Sequence, residues 1–471
     1  MGKNAPRDVL AARYASDEMV AIWGTVNKVV LERRLWIAAL KAQKEAGLKI
    51  SDQAIADYER VATLVNLDSI NEREKKLKHD VKARIEEFNA LSGHQLVHQG
   101  FTSRDLTDNI EQMQIVLSLH LVKERSVAVL ARFVDKAQQY ADVDMCARTH
   151  NVPAQVTTLG KRFANFGEEF LAAYRRLEHL VKDYHIRGIK GAVGTQQDMI
   201  DLLGGADAAH DFETSLGIEA EWPRTLGSVG QVYPRSLDFE VVSALVQLSA
   251  APSNFALMVR LMAGSELMHE GFGAEQAGSS AMPHKMNSRT CERINGLVKV
   301  LRGYELMVSQ LAGDQWFEGD VSCSVVRRVA LQGAFFALDG LYESTLTVLD
   351  EMQIFPAMIH KELMHYLPLL STSKILMQAI KDGMGREDAH KEIKERAVGG
   401  INRYRQGANV NFFSELTLGT NFPTEPGILQ KLITQADHGA APQQVAWLYK
   451  RTNHIIEKNA AAAVYQPAKI V

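Results

Sequence analysis

The chain is short of everything that would staple or anchor it. Only three cysteines occur in 471 residues. Cys146, Cys291 and Cys323 are far apart, odd in number and outside any CxxC spacing. They read as free thiols in a reducing, cytoplasmic compartment, not as a disulfide frame or a zinc site. An excess of one charge is missing too: 53 basic against 56 acidic residues leave a net charge of −3. That excludes a nucleic-acid or anionic-membrane binder with a wholly basic surface, though not a local cationic pocket. The opening MGKNAPRDVL has no apolar run, so no secretory leader is expected in it, and Pro6 stands where a myristoylation pattern needs Ser or Thr. The longest charge-free stretch, Val241 to Val259, contains Ser243, Gln247, Ser249, Pro252, Ser253 and Asn254. It is too polar for lipid and reads as helix buried inside a bundle. Neither GxxxxGK[ST] nor GxGxxG occurs, and no internal repeat is apparent.

What is present is helical periodicity. Met19, Ile22, Trp23, Val26 and Val30 recur at helical spacing over 17–46, with Asp17 as an N-terminal residue and Gly47 as a C-terminal stop. Ile110, Met113, Leu117, Leu121, Val127, Leu130 and Val134 do the same over 108–140, and 160–183, 237–268, 289–312 and 325–350 follow suit. Alternating strands are scarce. The expectation is an all-α chain in three parts: 1–107, a central long-helix bundle at 108–357, and 358–471, the last opening after Phe355-Pro356 because Pro interrupts a helix. Long helices with this much apolar surface want partners on several sides, which an oligomeric bundle would supply.

Four segments carry candidate chemistry. GFGAEQAGSSAMPHKMNSRTCER, 271–293, combines glycines with two serines, Lys285 and Asn287; it reads either as a loop bearing a hydroxyl, a cation and an amide, or as a plain connection. VHQGFTSRDLTDN, 97–109, places Thr102 and Ser103 where a helix N-terminus could take a carboxylate, with Asp108 as a candidate helix start; from residue types alone, simple capping is the commoner explanation. In RTHNVPAQVTTLG, 148–160, His150 precedes Pro153 and then a helical pattern, and is structural or catalytic. KHD, 78–80, lies in a charge run that resembles a solvated helix face. HKELMH, 360–365, is not HExxH and reads as an ordinary helix face, and the methionines of 258–268 read as core.

Together these segments resemble the adenylosuccinate lyases of the fumarase/aspartase superfamily. GSSAMPHKMNS is similar to that superfamily's GSSxMPxKxNP signature. RTHNVPAQVTTLGKR, GFTSRDLTDN, KHDV, ARYAS at 12–16, KGAVGTQ at 190–196 and DQWFE at 314–318 resemble segments of the adenylosuccinate branch, in the family's order over nearly the whole chain. The resemblance implies a three-part fold with a homotetrameric helical core and sites shared between subunits. It implies β-elimination of fumarate from adenylosuccinate, giving AMP, and from SAICAR, giving AICAR, with no metal or redox cofactor. It assigns Ser279 as the base, His150 as the acid, Glu292 as the carboxylate that orients the acid, and Lys285 as the cation that activates the serine. Thr102, Ser103, Lys285 and Asn287 would meet the carboxylate that gains charge. Arg13, Tyr14, Ser324 and Arg328 would lie near the phosphate, and His79, Asp80, His98, Gln196 and Arg293 elsewhere around the substrate. Four positions depart from the family pattern: Met286 for a frequent Arg, Ser288 for Pro, Cys323 for a frequent His, and Gly319 for the Arg of WFER. Arg327 and Arg235 are the candidates to compensate for the last.

Overall fold

A computed structural model describes residues 8–272, 281–282 and 284–468 of the chain. Six helices come first: α1 (Val9–Arg13), α2 (Asp17–Trp23), α3 (Thr25–Glu45), α4 (Asp52–Val61), α5 (Leu67–Leu77) and α6 (Asp80–Ser92). Their boundaries follow cap chemistry. Ser16, Ser51 and Asn66 accept the N–H groups that α2, α4 and α5 leave open, and Gly93 closes α6 in the left-handed region. The 17–46 periodicity is thus two helices, parted at Gly24.

The centre is built from α7 (Ser103–Gln139), a hairpin of β1 (Asp144–Thr149) and β2 (Val152–Thr158), and then α8 (Leu159–Asp183). Two short helices, α9 (Gln197–Leu203) and α10 (Ala206–Glu219), lead to α11 (Ser236–Leu248) and α12 (Ala250–Ala263). Strand β3 (Met268–His269), α13 (Arg289–Ser309), α14 (Ser322–Glu351) and β4 (Gln353–Ile354) complete it, with β3 and β4 paired. The hairpin is the main departure from the helical expectation: Pro153 lies in β2, and helix resumes only at Leu159. The C-terminal part is α15 (Pro356–Leu370), α16 (Thr372–Lys381), α17 (Arg386–Arg405), α18 (Phe412–Thr417), α19 (Pro426–Thr434), α20 (Ala441–Lys458) and α21 (Ala460–Ala463). Pro356 opens α15 in the first turn, where its missing N–H costs no intrahelical hydrogen bond.

The largest core cluster joins α7, α8, α11, α12, α13 and α14, with Phe133, Phe163, Phe170 and Phe255 packed ring against ring at its heart. The 28-residue stretch Ser236–Ala263 is long and apolar enough to cross a membrane. Here it is two core helices, with Val241, Leu245, Phe255 and Val259 fully buried. Helices α7 and α14 run parallel in one register: Glu111 pairs with Arg327, Ser126 with Tyr342 and Arg132 with Asp350, at near-constant separations of 216 to 218 residues. Asp108 is not a helix start. Buried in the first turns of α7, it accepts from Arg104 at 3.0 Å and Arg235 at 2.9 Å, with Arg327 at 3.6 Å. A smaller cluster joins α3, α4 and α6 to the start of α7, and another binds α16–α19.

Midway along α14, Asp339 and Glu343 lie one turn apart, both buried. Asp339 accepts the N–H of Ser16 at 2.6 Å. Glu343 accepts the Tyr465 hydroxyl at 3.0 Å and the Ala468 N–H at 2.5 Å. Gly340, between them, admits the Tyr14 backbone; a Cβ there would lie 2.7 Å from the Tyr14 carbonyl. Burial pushes Asp339 up to about 6, against the pull of Ser16 and Arg125. Burial, then the neighbouring Asp339, pushes Glu343 up to about 7.

Both carboxyls titrate higher folded than unfolded, so the folded chain keeps protons that the unfolded chain has lost. Stability therefore falls as pH rises from about 4 to about 7. Glu343→Gln removes one of these groups. The loss of Tm between about pH 5 and about pH 8 should be smaller in this variant than in the parent chain; equal losses in melting scans would refute the assignment.

Candidate active site

The residues singled out in the sequence gather at the two ends of the central bundle. At the end where α7 and α14 begin, Thr102 caps α7, and its N–H donates to Asp105 at 2.7 Å. The other oxygen of Asp105 takes the N–H groups of Lys190 at 2.9 Å and Gly191 at 3.1 Å and the guanidinium of Arg187. One buried carboxylate thus sets the KGAVGTQ segment beside Thr102 and Ser103. Gln196, at the start of α9, commits its amide nitrogen to Ile189 O at 2.8 Å and Glu213 at 3.1 Å. Ser324 Oγ accepts from Arg104 at 2.9 Å.

KHD is a helix junction, not a mid-helix charge face: Lys78 is left-handed at the end of α5, and His79 caps α6, taking the Lys82 N–H on Nδ1 at 3.3 Å. Asp80 is pulled two ways. Burial works to raise it, but Arg84 at 2.7 Å, the Val81 N–H and Arg328 at 3.9 Å hold it below the usual carboxylate range. His98 is largely buried and takes the Trp36 indole N–H on Nδ1 at 3.2 Å. Burial, opposed by Asp105 and helped by His79 and Lys82, holds its pKa down to about 4. At neutral pH His98 is therefore an uncharged imidazole whose proton sits on Nε2, a hydrogen-bond donor and not an acid.

At the other end, Lys285, Asn287 and Glu292 line a cavity of about 820 Å³ with His269 and His284. Glu270, unnoticed in the sequence, is buried and accepts the N–H groups of Thr290 at 2.9 Å and Cys291 at 2.8 Å, closing the N-terminus of α13. Arg293 reaches over the Tyr14 ring, 5.6 Å from its centre. Burial weighs most against the charge of Arg293, and Arg13 and Arg289 add like charge, partly offset by Tyr14 and Glu270. Crowded guanidiniums of this kind suit an anion. His150 is at the tip of the β1–β2 hairpin, exposed. Beneath it lies a second cavity of about 390 Å³ that shares Leu257 and Leu261 with the first. Ser279 lies outside the described residues.

The structure thus brings His79, Asp80, His98 and Arg328 together, with Thr102, Ser103, Gln196 and Ser324 on the same end. It brings Lys285, Asn287 and Glu292 together on the other, and sets Arg13, Tyr14 and Arg293 as a second group between the ends, where Tyr14 packs on Gly340. It does not bring His150 to His79 within one chain. The 37 residues of α7 put ~55 Å between its Thr102 cap and the root of the hairpin.

Of the two proposed substitutes for the missing arginine, Arg327 is fully committed, whereas Arg235 keeps Nε and Nη1 without a hydrogen-bond partner among the described residues. Arg327 is spent on Asp238 at 2.8 Å, Glu111 at 2.7 Å and the Tyr233 hydroxyl at 2.6 Å, and Arg235 is buried on Asp108. Gly319 has φ +139°, and a Cβ there would lie 2.8 Å from Val232.

Comparison with known proteins follows this geometry. The family model described as Lyase matches residues 7–303. An adenylosuccinate lyase of Saccharomyces cerevisiae is 32% identical over 397 residues, covering 82% of this chain and 81% of its own. One from Archaeoglobus fulgidus is 29% identical over 388 residues, 82% of this chain and 85% of its own. Among solved structures, a fumarate lyase from a Mesorhizobium species has TM-score 0.79 at 20% identity, covering 93% of this chain and 98% of that one. A 3-carboxy-cis,cis-muconate lactonizing enzyme from Pseudomonas putida has TM-score 0.81 at 16% identity, covering 95% and 99%. These two structures bear on the fold alone.

Gly319→Arg tests the reading of that position. Restoring the family's residue should not improve the enzyme: strain at positive φ and the contact with Val232 should cost about 1–3 kcal/mol of stability, read as a lower Tm. A variant at least as stable as the parent, with tighter substrate binding, would contradict it.

Proposed function

This chain belongs to the lyase family and, within it, to the adenylosuccinate lyases, and from that premise we infer that it releases fumarate by β-elimination from adenylosuccinate, giving AMP, and from SAICAR, giving AICAR. The chemistry removes a weakly acidic proton beside a carboxylate and expels a nitrogen. In this reading Ser279 takes the proton, activated by Lys285 and nearby backbone donors, because a free serine is a poor base at neutral pH. Asn287, Thr102 and Ser103 donate to the carboxylate as negative charge builds on it; one well-aimed donor contributes about 3 kcal/mol. His150, oriented by Glu292, protonates the departing nitrogen, a step that general acids speed by about 10²–10⁴-fold. Neutral His98 donates from Nε2. Arg13, Tyr14 and Arg293 take an anionic group of the substrate, with Arg328 and Ser324 at the far side.

The observation that carries this reading furthest is the split of the residues between the bundle's two ends. A single chain holds groups that cannot meet: the Thr102 cap and the root of the hairpin that carries His150 stand ~55 Å apart along α7. Antiparallel packing of bundles from different chains would bring one chain's His79–His98–Arg328 group to another's Lys285–Glu292 group and to a third chain's His150 tip. Exposed apolar side chains support that packing: Val321, Val325 and Val329 follow one another at helical spacing on the outer face of α14, 72%, 70% and 49% exposed. We place the enzyme in the cytoplasm as a homotetramer of three-part subunits, each site built from three chains.

Ultraviolet monitoring of purified protein with adenylosuccinate, and identification of fumarate, tests the reaction. His150→Ala and Ser279→Ala should each lower kcat by about 10²-fold or more, while mixed oligomers of the two regain part of the lost activity. Near-normal turnover in either variant would remove that residue's role, and mixtures that stay inactive despite subunit exchange would sink the shared site.

A further inference from the structure

His150 occupies an awkward position for a histidine. It shares a two-residue turn with Asn151, and both have positive φ, 53° and 62°. Hairpins favour that geometry, but Asn-Gly is its preferred sequence, so turn propensity alone does not hold this tip. The strand beneath it is also irregular. Pairing shifts between Ala147 and Arg148, so that Arg148 faces Pro153 while Ala147 faces Gln155. Irregularities of this kind re-aim a side chain.

The re-aimed side chain is Arg148. Its Nη1 donates to the carbonyl of Asn151 at 3.2 Å, inside the turn, and its Nη2 donates to Glu362 on α15 at 2.5 Å. The guanidinium also lies 5.6 Å from the centre of the Tyr366 ring. Glu362 is nearly enclosed, its side chain 12% exposed. Its second oxygen is buried with no hydrogen-bond partner among the described residues. Arg148, with Arg162 nearby, is what balances it. We propose that Arg148 and Glu362 form a clamp through which α15 positions His150. This rests on the reading of His150 as the acid. Both are positioning residues: the hydrogen bonds place them on the turn and on α15, not on the reacting atoms.

An acid displaced by about 1 Å loses on the order of 10²-fold in rate, so the clamp acts on kcat. Glu362→Ala should lower kcat at least about tenfold with KM within about twofold, and should shift the limb of the kcat–pH profile that His150→Ala removes. In the His150→Ala background, Glu362→Ala should cost less than about twofold more, because there is no acid left to misplace. Glu362→Gln, which keeps the shape and one acceptor for Arg148, should recover most of kcat; if the alanine variant fails to fold, Arg148→Lys, which keeps the charge beside Glu362 but cannot hold both Glu362 and the Asn151 carbonyl, carries the same cycle with the same expected losses. Unchanged kcat and pH profile in folded Glu362→Ala, or losses that multiply with His150→Ala, would overturn the clamp while leaving the acid in place. Full turnover in His150→Ala alone would overturn the acid, and the clamp's purpose with it.

Discussion

Asp108 is the carboxylate on which the arrangement turns. It sits buried on α7 among Arg104, Arg235 and Arg327, and through them touches the start of α14 and the approach to α11. Asp238 and Glu111 complete the balance on Arg327. Burial works to raise Glu111, but Arg327 and Lys28 outweigh it and hold it down at about 2. Charges taken out of water are costly, and a buried network of this kind contributes less to net stability than to geometry; removing one partner would cost about 3–5 kcal/mol. Its effect here is to lock the register of three helices at the end that carries Thr102, Ser324 and Arg328. An apolar seam could slide by a turn; this one cannot without stranding a charge.

Around that lock, the site is a matter of helix ends. Thr102 caps α7, His79 caps α6, Gln196 opens α9, and Glu270 closes the N-terminus of α13. Helix ends carry unpaired N–H groups and a partial positive charge, so an anionic substrate would find donors there in addition to those proposed for the 271–293 segment. The buried carboxylates Asp105 and Glu270 take some of the donors nearby: the N–H groups of Thr102, Lys190 and Gly191, and those of Thr290 and Cys291. One histidine is set for hydrogen bonding by burial, and another is carried to an exposed tip by a strained turn.

Much of this was legible in the sequence. The long helices announce themselves by apolar spacing, and their boundaries fell within a few residues of those observed. The hairpin did not, because its strands are short, Pro153 interrupts the second, and its turn is His-Asn in place of the glycine-containing pairs that mark such turns. Asp108 looked like a cap because a carboxylate near Thr and Ser suggests one; only the fold brings Arg235 and Arg327 to it from distant segments, beside Arg104 one turn earlier on α7. The charge run around KHD hid a junction, since a left-handed Lys78 leaves no compositional trace. Family likeness supplied the candidate residues, but not the distance between them. Gly319 reads as a loss that Arg235 or Arg327 could make good, and the ion pairs of Arg327 leave only Arg235.

The parallel register of α7 and α14 has a consequence for how the chain assembles itself. The pairs α7–α8 and α13–α14 follow one another in sequence, joined by the β1–β2 hairpin and by residues 310–321, and their contacts are local beside those of the α7–α14 seam. The seam between α7 and α14 joins residues more than 200 positions apart. Closing so long a loop costs entropy before any contact repays it. The two helical hairpins therefore form first and the seam last, and until it closes each exposes the apolar face meant for the other. On this contact-order argument the chain folds by docking preformed halves, and the species exposed to aggregation is the one in which α14 has formed but not yet met α7.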